Sequence, residues 1–202
     1  GAVRNALMQR PVADIDIATT HLPERVMELA TAAGCSVHPT GLSHGTVTVV
    51  AGDGDARRPF EVTTLRVDEE TDGRHARVPF TGDWEADARR RDFTINALYC
   101  DASGEVFDPV GGYPDILARR VRFVGEPEAR IREDYLRILR FFRFHALYGK
   151  STPDPEGLAA CVALKEGLAR LSAERVRDEL LKLLVAPGAA ATLAIMRETG
   201  IL

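Results

Sequence analysis

The spacing of apolar residues changes along this chain, and that change constrains its fold more than any other feature. Residues 14–18 (DIDIA) alternate acidic and apolar side chains, and residues 44–50 and 60–65 alternate on either side of a glycine- and aspartate-rich turn. Alternation with a period of two is typical of strands. In the last third of the chain the apolar residues recur with helical spacing instead. We therefore predict an α+β head over residues 1–125, followed by an all-helical neck over residues 126–202.

Turn residues and periodicity predict the individual elements. Helices are expected near residues 23–34, 84–99, 127–148, 154–168, 172–185 and 188–199. Short strands are expected near 105–108 and 121–124, separated by a turn at Gly111 and Gly112. Residues 66–80 are polar and turn-prone, which predicts a mobile loop.

Composition limits the class of protein. The chain has 202 residues, of which 45% are hydrophobic and 28% charged, as in ordinary globular proteins. No apolar run approaches the roughly 20 residues that a membrane span needs, and the first residues do not resemble a signal peptide. Cys35, Cys100 and Cys161 are odd in number and lack metal-like spacing, so we interpret them as reduced, buried thiols of a cytoplasmic protein.

Charge also limits how the chain could bind nucleic acid. The net charge of −4 argues against binding through bulk electrostatics, because phosphate-backbone contacts need a positive surface. All but three of the 26 basic residues are arginines, the side chain suited to bidentate contacts with phosphates and bases. Any nucleic-acid contact should therefore be local.

The first candidate site is the acidic pair in DIDIA. Asp14 and Asp16 lie two apart on a predicted strand, so both carboxylates should point to one face while Ile15 and Ile17 point to the other. Two neighbouring carboxylates repel each other unless a cation neutralises them, and Mg²⁺ commonly takes one or two carboxylates together with substrate phosphates. A solvated acidic strand face is the alternative. Glu61, on a later strand, could bring a third carboxylate to the pair.

A second candidate is the segment RRRDFTINA, residues 89–97. If it is helical, Asp92 and Asn96 share a face and could bind ribose hydroxyls, while Arg91 could bind a phosphate. The alternative is an ordinary solvated helix turn.

The third candidate lies in IREDYLRILRFFRFHAL, residues 131–147. A helix here would have an apolar arc on one side and a polar stripe containing Glu133, Arg137 and Arg140 on the other. Cytosine and adenine both place an amino donor beside a ring-nitrogen acceptor, so a carboxylate acceptor at Asp134 and a guanidinium donor at Arg137 would favour those bases. The alternative is that Glu133 and Asp134 form ordinary i,i+4 and i,i+3 salt bridges with Arg137.

Six segments occur in an order that resembles the class II tRNA nucleotidyltransferases, and bacterial poly(A) polymerases share the set. They are GAVRN (1–5), DIDIAT (14–19), FEVTTLRVDEETDGRHA (60–76), RRDFTINA (90–97), RRVRFVG (119–125) and EDYLRILRFFRF (133–144). The resemblance implies a polymerase-β-type nucleotidyltransferase head with a helical neck and Mg²⁺ dependence. It also implies addition of C, C and A from CTP and ATP to a tRNA 3′ end without a nucleic-acid template.

The resemblance assigns a role to each matching residue. Asp14 and Asp16 would be the catalytic, metal-binding pair. The nucleotide-binding residues would be Gly1, Arg4, Arg91, Asp134, Arg137, Arg140 and Arg143. Within that set Asp134, Arg137 and Arg140 would recognise the base with support from Arg143. Glu133 would be a further member of the base-recognition residues, and Glu61 would be a third metal-binding carboxylate.

Three departures from the family pattern concern the first motif and the two ends of the chain. The family usually has two glycines and an aspartate there, whereas this chain lacks the first glycine and has Asn5 in place of the aspartate. The strand expected before the glycines and the downstream helical body and tail are also absent, so we expect a fragment. Poly(A) polymerase activity and a catalytically silent RNA-binding module are the alternative functions, and the sequence does not indicate an oligomeric state.

Overall fold

The computed structural model describes residues 1–67 and 79–202, which form two compact units, Gly1–Arg90 and Arg91–Leu202. The first unit combines a sheet with helices and the second is largely helical, so the predicted fold class is confirmed. The predicted division into a head and a neck at residue 125 stays a prediction.

The first unit is built on a four-stranded mixed sheet. Its elements are α1 (Ala2–Leu7), β1 (Asp16–Thr19), α2 (Pro23–Ala32), β2 (Ser36–Gly41), β3 (Thr46–Ala51), β4 (Arg58–Thr64) and α3 (Trp84–Arg89). The strand order is β1-β4-β3-β2, with β1 parallel to β4 and the other pairs antiparallel. Helix α2 packs on this sheet, where Val26 and Val47 are buried. The predicted β3–β4 hairpin is confirmed.

Several boundaries in the first unit differ from the predictions. Strand β1 begins at Asp16, so Asp14 lies just before the strand rather than in it. Helix α3 ends at Arg89, ten residues earlier than predicted. Strand β2 was not predicted because it contains Pro39 and lacks alternation, and its edge position explains why proline is tolerated.

The predicted loop at 66–80 lies mostly outside the described residues. At its two ends, Arg66 and Phe80 form an antiparallel bridge, and the Val67 amide donates to the Pro79 carbonyl at 3.0 Å. The two ends of the segment are therefore held side by side.

The second unit is a helical assembly preceded by a small hairpin. Its elements are β5 (Tyr99–Cys100), β6 (Val106–Phe107), α4 (Gly112–Ala118), α5 (Pro127–Glu133), α6 (Leu136–Tyr148), α7 (Pro155–Ala163), α8 (Ala173–Leu184) and α9 (Ala189–Glu198). Helix α6 packs against α5, α8 and α9. The predicted helices at 154–168, 172–185 and 188–199 are confirmed as α7, α8 and α9, although 3₁₀ structure replaces the end of the first.

Aromatic packing explains why α6 is central to the second unit. Phe93, Phe123 and Phe141 are fully buried, with ring centroids 5.0 Å apart for Phe93 and Phe123 and 5.5 Å apart for Phe123 and Phe141. Aromatic pairs at such spacing add stabilisation beyond the area they bury. These contacts join α6 to the segment that begins the unit.

Two predictions for the second unit are wrong. The expected helix at 127–148 is two helices, because Asp134 has an extended backbone with φ −154° and ψ 107°. The expected strand at 121–124 is only a single bridge between Phe93 and Phe123. One element, α4, was missed, since the glycines at its start read as a turn.

The cysteine prediction is correct in part. All three cysteines are free, but only Cys161 is buried, whereas Cys35 is half-buried and Cys100 is exposed. Burial raises the pKa of the Cys161 thiol well above its ordinary value. Across residues 1–67 and 79–202, every helix falls short of the length and apolar character needed to cross a membrane.

Candidate functional site

Strand register places two acidic residues side by side in the first unit. Strands β1 and β4 run parallel, and Asp16 is the register partner of Glu61. Residues aligned across neighbouring strands have side chains on the same face of the sheet. On the other side of Glu61, Thr48 of β3 is its antiparallel partner. The sheet therefore gathers carboxylates that are 45 positions apart in sequence.

These acids line a pocket together with Asp14. The cavity has a volume of ≈ 390 Å³, and its lining includes Asp14, Asp16, Glu61, Thr48 and Arg58. All three acids are exposed, and none forms a salt bridge or side-chain hydrogen bond with another described residue. The alternative considered above, a strand face with solvated acids, thus accounts for the exposure of these carboxylates but not for the presence of all three in one pocket.

The donor set suits a cation that also binds a ligand. Within residues 1–67 and 79–202, no group of three or more His, Cys, Asp or Glu side chains is arranged to hold a metal ion by itself. Mg²⁺ is usually bound by one or two carboxylates plus substrate phosphates rather than by an all-protein cage. The exposed pair Asp14 and Asp16 fits that mode, with phosphate oxygens completing the coordination.

Helix α1 carries the first-motif residues. Gly1 precedes the helix and is exposed, whereas Arg4 is buried. Arg4 Nε and Nη2 donate to Asn5 Oδ1 at 3.2 and 3.0 Å, and Asn5 Nδ2 donates to the Pro11 carbonyl at 3.1 Å. Asn5, which replaces the family's aspartate, therefore holds the Arg4 side chain through a neutral acceptor.

In the second unit, the Asp92–Asn96 contact exists, but not on a helix. Helix α3 has ended by Arg89, and a 3₁₀ turn spans Thr94–Asn96. Asn96 Nδ2 donates to Asp92 Oδ1 at 2.9 Å, and the Arg91 guanidinium lies 5.8 Å from the centroid of the Tyr99 ring. The predicted helix over this segment is therefore wrong, although Asp92 and Asn96 are in contact, and binding of ribose hydroxyls by this pair stays a prediction.

Asp92 is also the ion-pair partner of Arg140. Arg140 Nε and Nη2 donate to Asp92 Oδ2 at 2.9 and 2.6 Å. Burial alone raises the pKa of Asp92, but the charge of Arg140 and hydrogen bonds from Asn96, Arg140 and the Phe93 amide outweigh it, so the pKa lies below its ordinary value. Asp92 is therefore a carboxylate that orients Arg140.

Asp134 lies between helices α5 and α6, and two hydrogen-bond partners fix its side chain. Its Oδ1 accepts the Leu136 amide at 3.1 Å, and its Oδ2 accepts Arg175 Nη2 at 2.8 Å. Its side chain is 34% exposed, so a ligand can reach it. The i,i+3 salt bridge between Asp134 and Arg137, part of the alternative considered above, is not formed; Asp134 pairs with Arg175 of α8 instead.

Arg137 forms its hydrogen bonds with residues of helix α5 rather than with Asp134. Its Nη1 contacts Glu133 Oε2 and donates to the Arg130 carbonyl at 2.7 Å. The i,i+4 contact between Glu133 and Arg137, considered above as the alternative, is therefore formed. Both bonds use Nη1, so the Nε and Nη2 hydrogens have no acceptor among the described residues.

Glu179 is a buried acid that the sequence reasoning missed. Arg143 Nε donates to Glu179 Oε2 at 2.5 Å, and Arg140 Nη1 lies 3.8 Å from Glu179 Oε1. The Arg143 guanidinium also lies 4.6 Å from the centroid of the Phe144 ring. Glu179 and Arg175 are one helical turn apart on α8, and both face the candidate base-recognition residues of the second unit. The signal in the sequence was that Glu179, an acidic residue, lies within the helical pattern of apolar residues in α8.

Comparison with known proteins relates this geometry to a family. Residues 1–122 match the Poly A polymerase head domain, and residues 152–202 match the probable RNA and SrmB- binding site of polymerase A. The chain is 44% identical to CCA tRNA nucleotidyltransferase 1, mitochondrial, of Danio rerio, over 100% of this chain and 46% of that protein. It is 46% identical to the Homo sapiens protein of the same name, over 92% of this chain and 42% of that protein.

A solved structure gives the same relationship. The CCA-adding enzyme of Bacillus stearothermophilus in complex with CTP matches with a TM-score of 0.87 and 41% identity, over 100% of this chain and 47% of that chain. The present chain thus spans less than half the length of each of these three proteins. The resemblance drawn from six ordered motifs is confirmed, and the chain belongs to the nucleotidyltransferase family that contains the Poly A polymerase head domain and the CCA-adding enzymes.

Proposed function

We propose that this chain is the head and neck of an enzyme that transfers CMP and AMP from CTP and ATP to the 3′ end of tRNA without a nucleic-acid template. The observation that carries the proposal is the acid-lined pocket of the first unit, where Asp14, Asp16 and Glu61 have no ion-pair partner among the described residues. The relatives at 44% and 46% identity are named for this type of activity. A cytoplasmic location and the use of tRNA stay predictions.

The acidic pair has a defined chemical task in this reaction. Asp14 and Asp16 would hold Mg²⁺ together with oxygens of the bound triphosphate, and Glu61 lies beside Asp16 in the sheet register. When bound, the metal would lower the pKa of the attacking ribose 3′-hydroxyl and would neutralise charge on the departing pyrophosphate. The 3′ oxygen forms a bond to the α-phosphorus as the bond to the pyrophosphate oxygen breaks.

Arginines would bind the triphosphate. We assign Arg4 and Gly1 of the first unit to this role, because a guanidinium offers several donors in a geometry that matches phosphate oxygens and a glycine allows close backbone approach. Nucleotide binding by Arg91 of the second unit stays a prediction. Arg4 is fixed by Asn5, so its direction is set before a nucleotide binds. Preorganised donors bind an anion without the cost of ordering the side chain.

Base selection falls to the second unit. Asp134 keeps lone pairs on both oxygens after its bonds to Leu136 and Arg175, so it can accept an exocyclic amino hydrogen. Arg137 keeps its Nε and Nη2 hydrogens for a ring-nitrogen acceptor. Cytosine and adenine present that donor and acceptor, whereas uracil would leave buried polar groups unpaired.

Arg140 and Arg143 would complete the polar face. Asp92 and Glu179 hold their guanidinium groups in fixed directions, which suits recognition of a base edge or a phosphate. A base that forms no hydrogen bonds with Arg140 or Arg143 would gain no binding free energy from the fixed orientation of their guanidinium groups.

Addition of AMP alone to RNA is a second candidate function. It is favoured by the descriptions of both matching families, which refer to poly(A) polymerase. The choice of acceptor and nucleotide separates the two functions, since a poly(A) polymerase uses unstructured RNA and ATP.

The test is incorporation of labelled CTP, ATP or UTP by the purified 202-residue chain with Mg²⁺, using tRNA that ends before CCA or an unstructured RNA. We expect CMP and AMP to enter the tRNA and UMP to be excluded. Asp14→Asn should abolish incorporation, while Asp53→Asn, an exposed acid elsewhere in the first unit, should not. AMP incorporation into both RNAs without CMP would favour the second function, and activity in Asp14→Asn would contradict the metal assignment.

A further inference from the structure

The ion pair between Arg175 and Asp134 links two distant parts of the second unit. Arg175 lies in the first turn of α8, and Asp134 lies between α5 and α6, 41 positions earlier in the chain. Arg175 Nη2 donates to Asp134 Oδ2 at 2.8 Å. The Ser172 hydroxyl accepts the backbone amide of Arg175 at 3.4 Å, which fixes the start of α8 beneath the side chain.

The pair determines the direction of the carboxylate. Asp134 has an extended backbone, and the terminal torsion of an aspartate side chain is broad, so a single bond to Leu136 would leave the second oxygen free to move. Arg175 engages that second oxygen. With Oδ1 on the Leu136 amide and Oδ2 on Arg175, both oxygens are placed and their remaining lone pairs have fixed directions.

The exposure of the pair argues for a role other than stability. The side chains of Arg175 and Asp134 are 49% and 34% exposed. Exposed ion pairs contribute little to the free energy of unfolding, because solvent screens the charges and two long side chains must be ordered. Arg137, which could have paired with Asp134, is instead held by Glu133, so Arg175 alone supplies the cation that orients this acid among the described residues.

We propose that Arg175 is a positioning residue for base selection: it holds the Asp134 carboxylate as the acceptor for the amino group that cytosine and adenine share. The proposal rests on the proposed function, since it assigns a residue to the same base-recognition step. Arg175 acts through Asp134 and need not touch the nucleotide. Groups that orient a binding residue commonly change affinity or activity about 10- to 100-fold when they are removed.

The experiment compares Arg175→Gln, Arg175→Lys and Arg177→Gln. Arg177 is the matched control, because it lies on the same helix, is 63% exposed and, among the described residues, forms an ion pair only with its neighbour Asp178. For each variant, kcat and KM are measured for CTP, ATP and UTP on tRNA that ends before CCA, together with the melting temperature.

We expect Arg175→Gln to reduce the preference for CTP over UTP about 10-fold or more, mainly through KM for CTP, with the wild-type melting temperature. Arg175→Lys should restore part of the preference because it keeps the charge with a single donor group. Arg177→Gln should match the wild type. Unchanged preference in Arg175→Gln overturns the proposal, as does an equal loss for all three nucleotides accompanied by a lower melting temperature.

Binding measurements separate this inference from the proposed function. Titration calorimetry with CTP and with UTP reports selectivity without catalysis. A wild-type chain that prefers CTP but incorporates no nucleotide contradicts the proposed transfer activity, yet loss of that preference in Arg175→Gln still supports the positioning role. A wild-type chain that binds CTP and UTP equally overturns both.

Discussion

Replacing Asp92 with asparagine removes the charge that holds Arg140 in the second unit. Arg140 donates to Asp92 Oδ2 at 2.9 and 2.6 Å, and the Asp92 side chain is 10% exposed. Removing one partner of a fully buried pair costs about 3–5 kcal/mol. Arg140 is 31% exposed and keeps Glu179 at 3.8 Å, so we expect the free energy of unfolding to fall by less, about 2 kcal/mol.

The effect should depend on pH in a direction set by the lowered pKa of Asp92. A carboxyl group with a lower pKa in the folded state stabilises the fold above its unfolded pKa, about 3.9 for aspartate, and that contribution is lost as pH falls through the folded value. The difference between the wild type and Asp92→Asn should therefore be fully present at neutral pH and shrink below about pH 4.

Urea unfolding followed by far-ultraviolet circular dichroism measures this difference. Asp178→Asn is the control, because Asp178 is 53% exposed and, within residues 1–67 and 79–202, forms an ion pair only with its neighbour Arg177. We expect Asp92→Asn to lower the unfolding midpoint clearly and Asp178→Asn to leave it almost unchanged. Equal shifts in the two variants, or a difference that persists undiminished in acid, would refute the argument that the Asp92–Arg140 charge pair stabilises this unit.

Two further predictions concern packing and thiol reactivity. Gly112→Ala would place a Cβ 2.2 Å from the Thr94 carbonyl oxygen, so thermal unfolding should show a free energy of unfolding lower by about 1–3 kcal/mol. The control Gly82→Ala has open space around the new Cβ and should melt like the wild type. Equal melting temperatures for the two variants would contradict the close approach at Gly112. Cys100 is exposed and should react rapidly with a thiol reagent, whereas Cys161 should react slowly, because burial raises the pKa of its thiol. Comparable labelling rates for the two cysteines, measured by peptide mapping, would contradict this prediction.

Local patterns predicted the elements whose contacts are local. The β3–β4 hairpin follows from alternation around a glycine-containing turn, and α8 follows from helical spacing after the Ser172 cap. The break at Asp134 could not be predicted in this way. The apolar residues on both sides keep helical spacing, while the extended backbone at Asp134 coincides with a side-chain contact to Arg175, far along the chain.

The same distinction applies to the candidate site. Asp14 and Asp16 lie two positions apart in sequence, so local spacing was enough to make them a candidate cation site. Glu61 joined the pocket only through the parallel register of β1 and β4, which pairs residues far apart in the chain. Glu179 was missed for the same reason, since its contact with Arg143 spans 36 positions.

The central claim is that the acidic pocket of the first unit binds a divalent cation together with a nucleoside triphosphate. Crystals soaked with Mn²⁺ and CTP would test it most directly through the anomalous scattering of manganese. We predict an anomalous peak within coordination distance of Asp14 and Asp16, shared with phosphate oxygens and absent in Asp14→Asn. A bound CTP whose manganese lies away from both carboxylates would contradict the account.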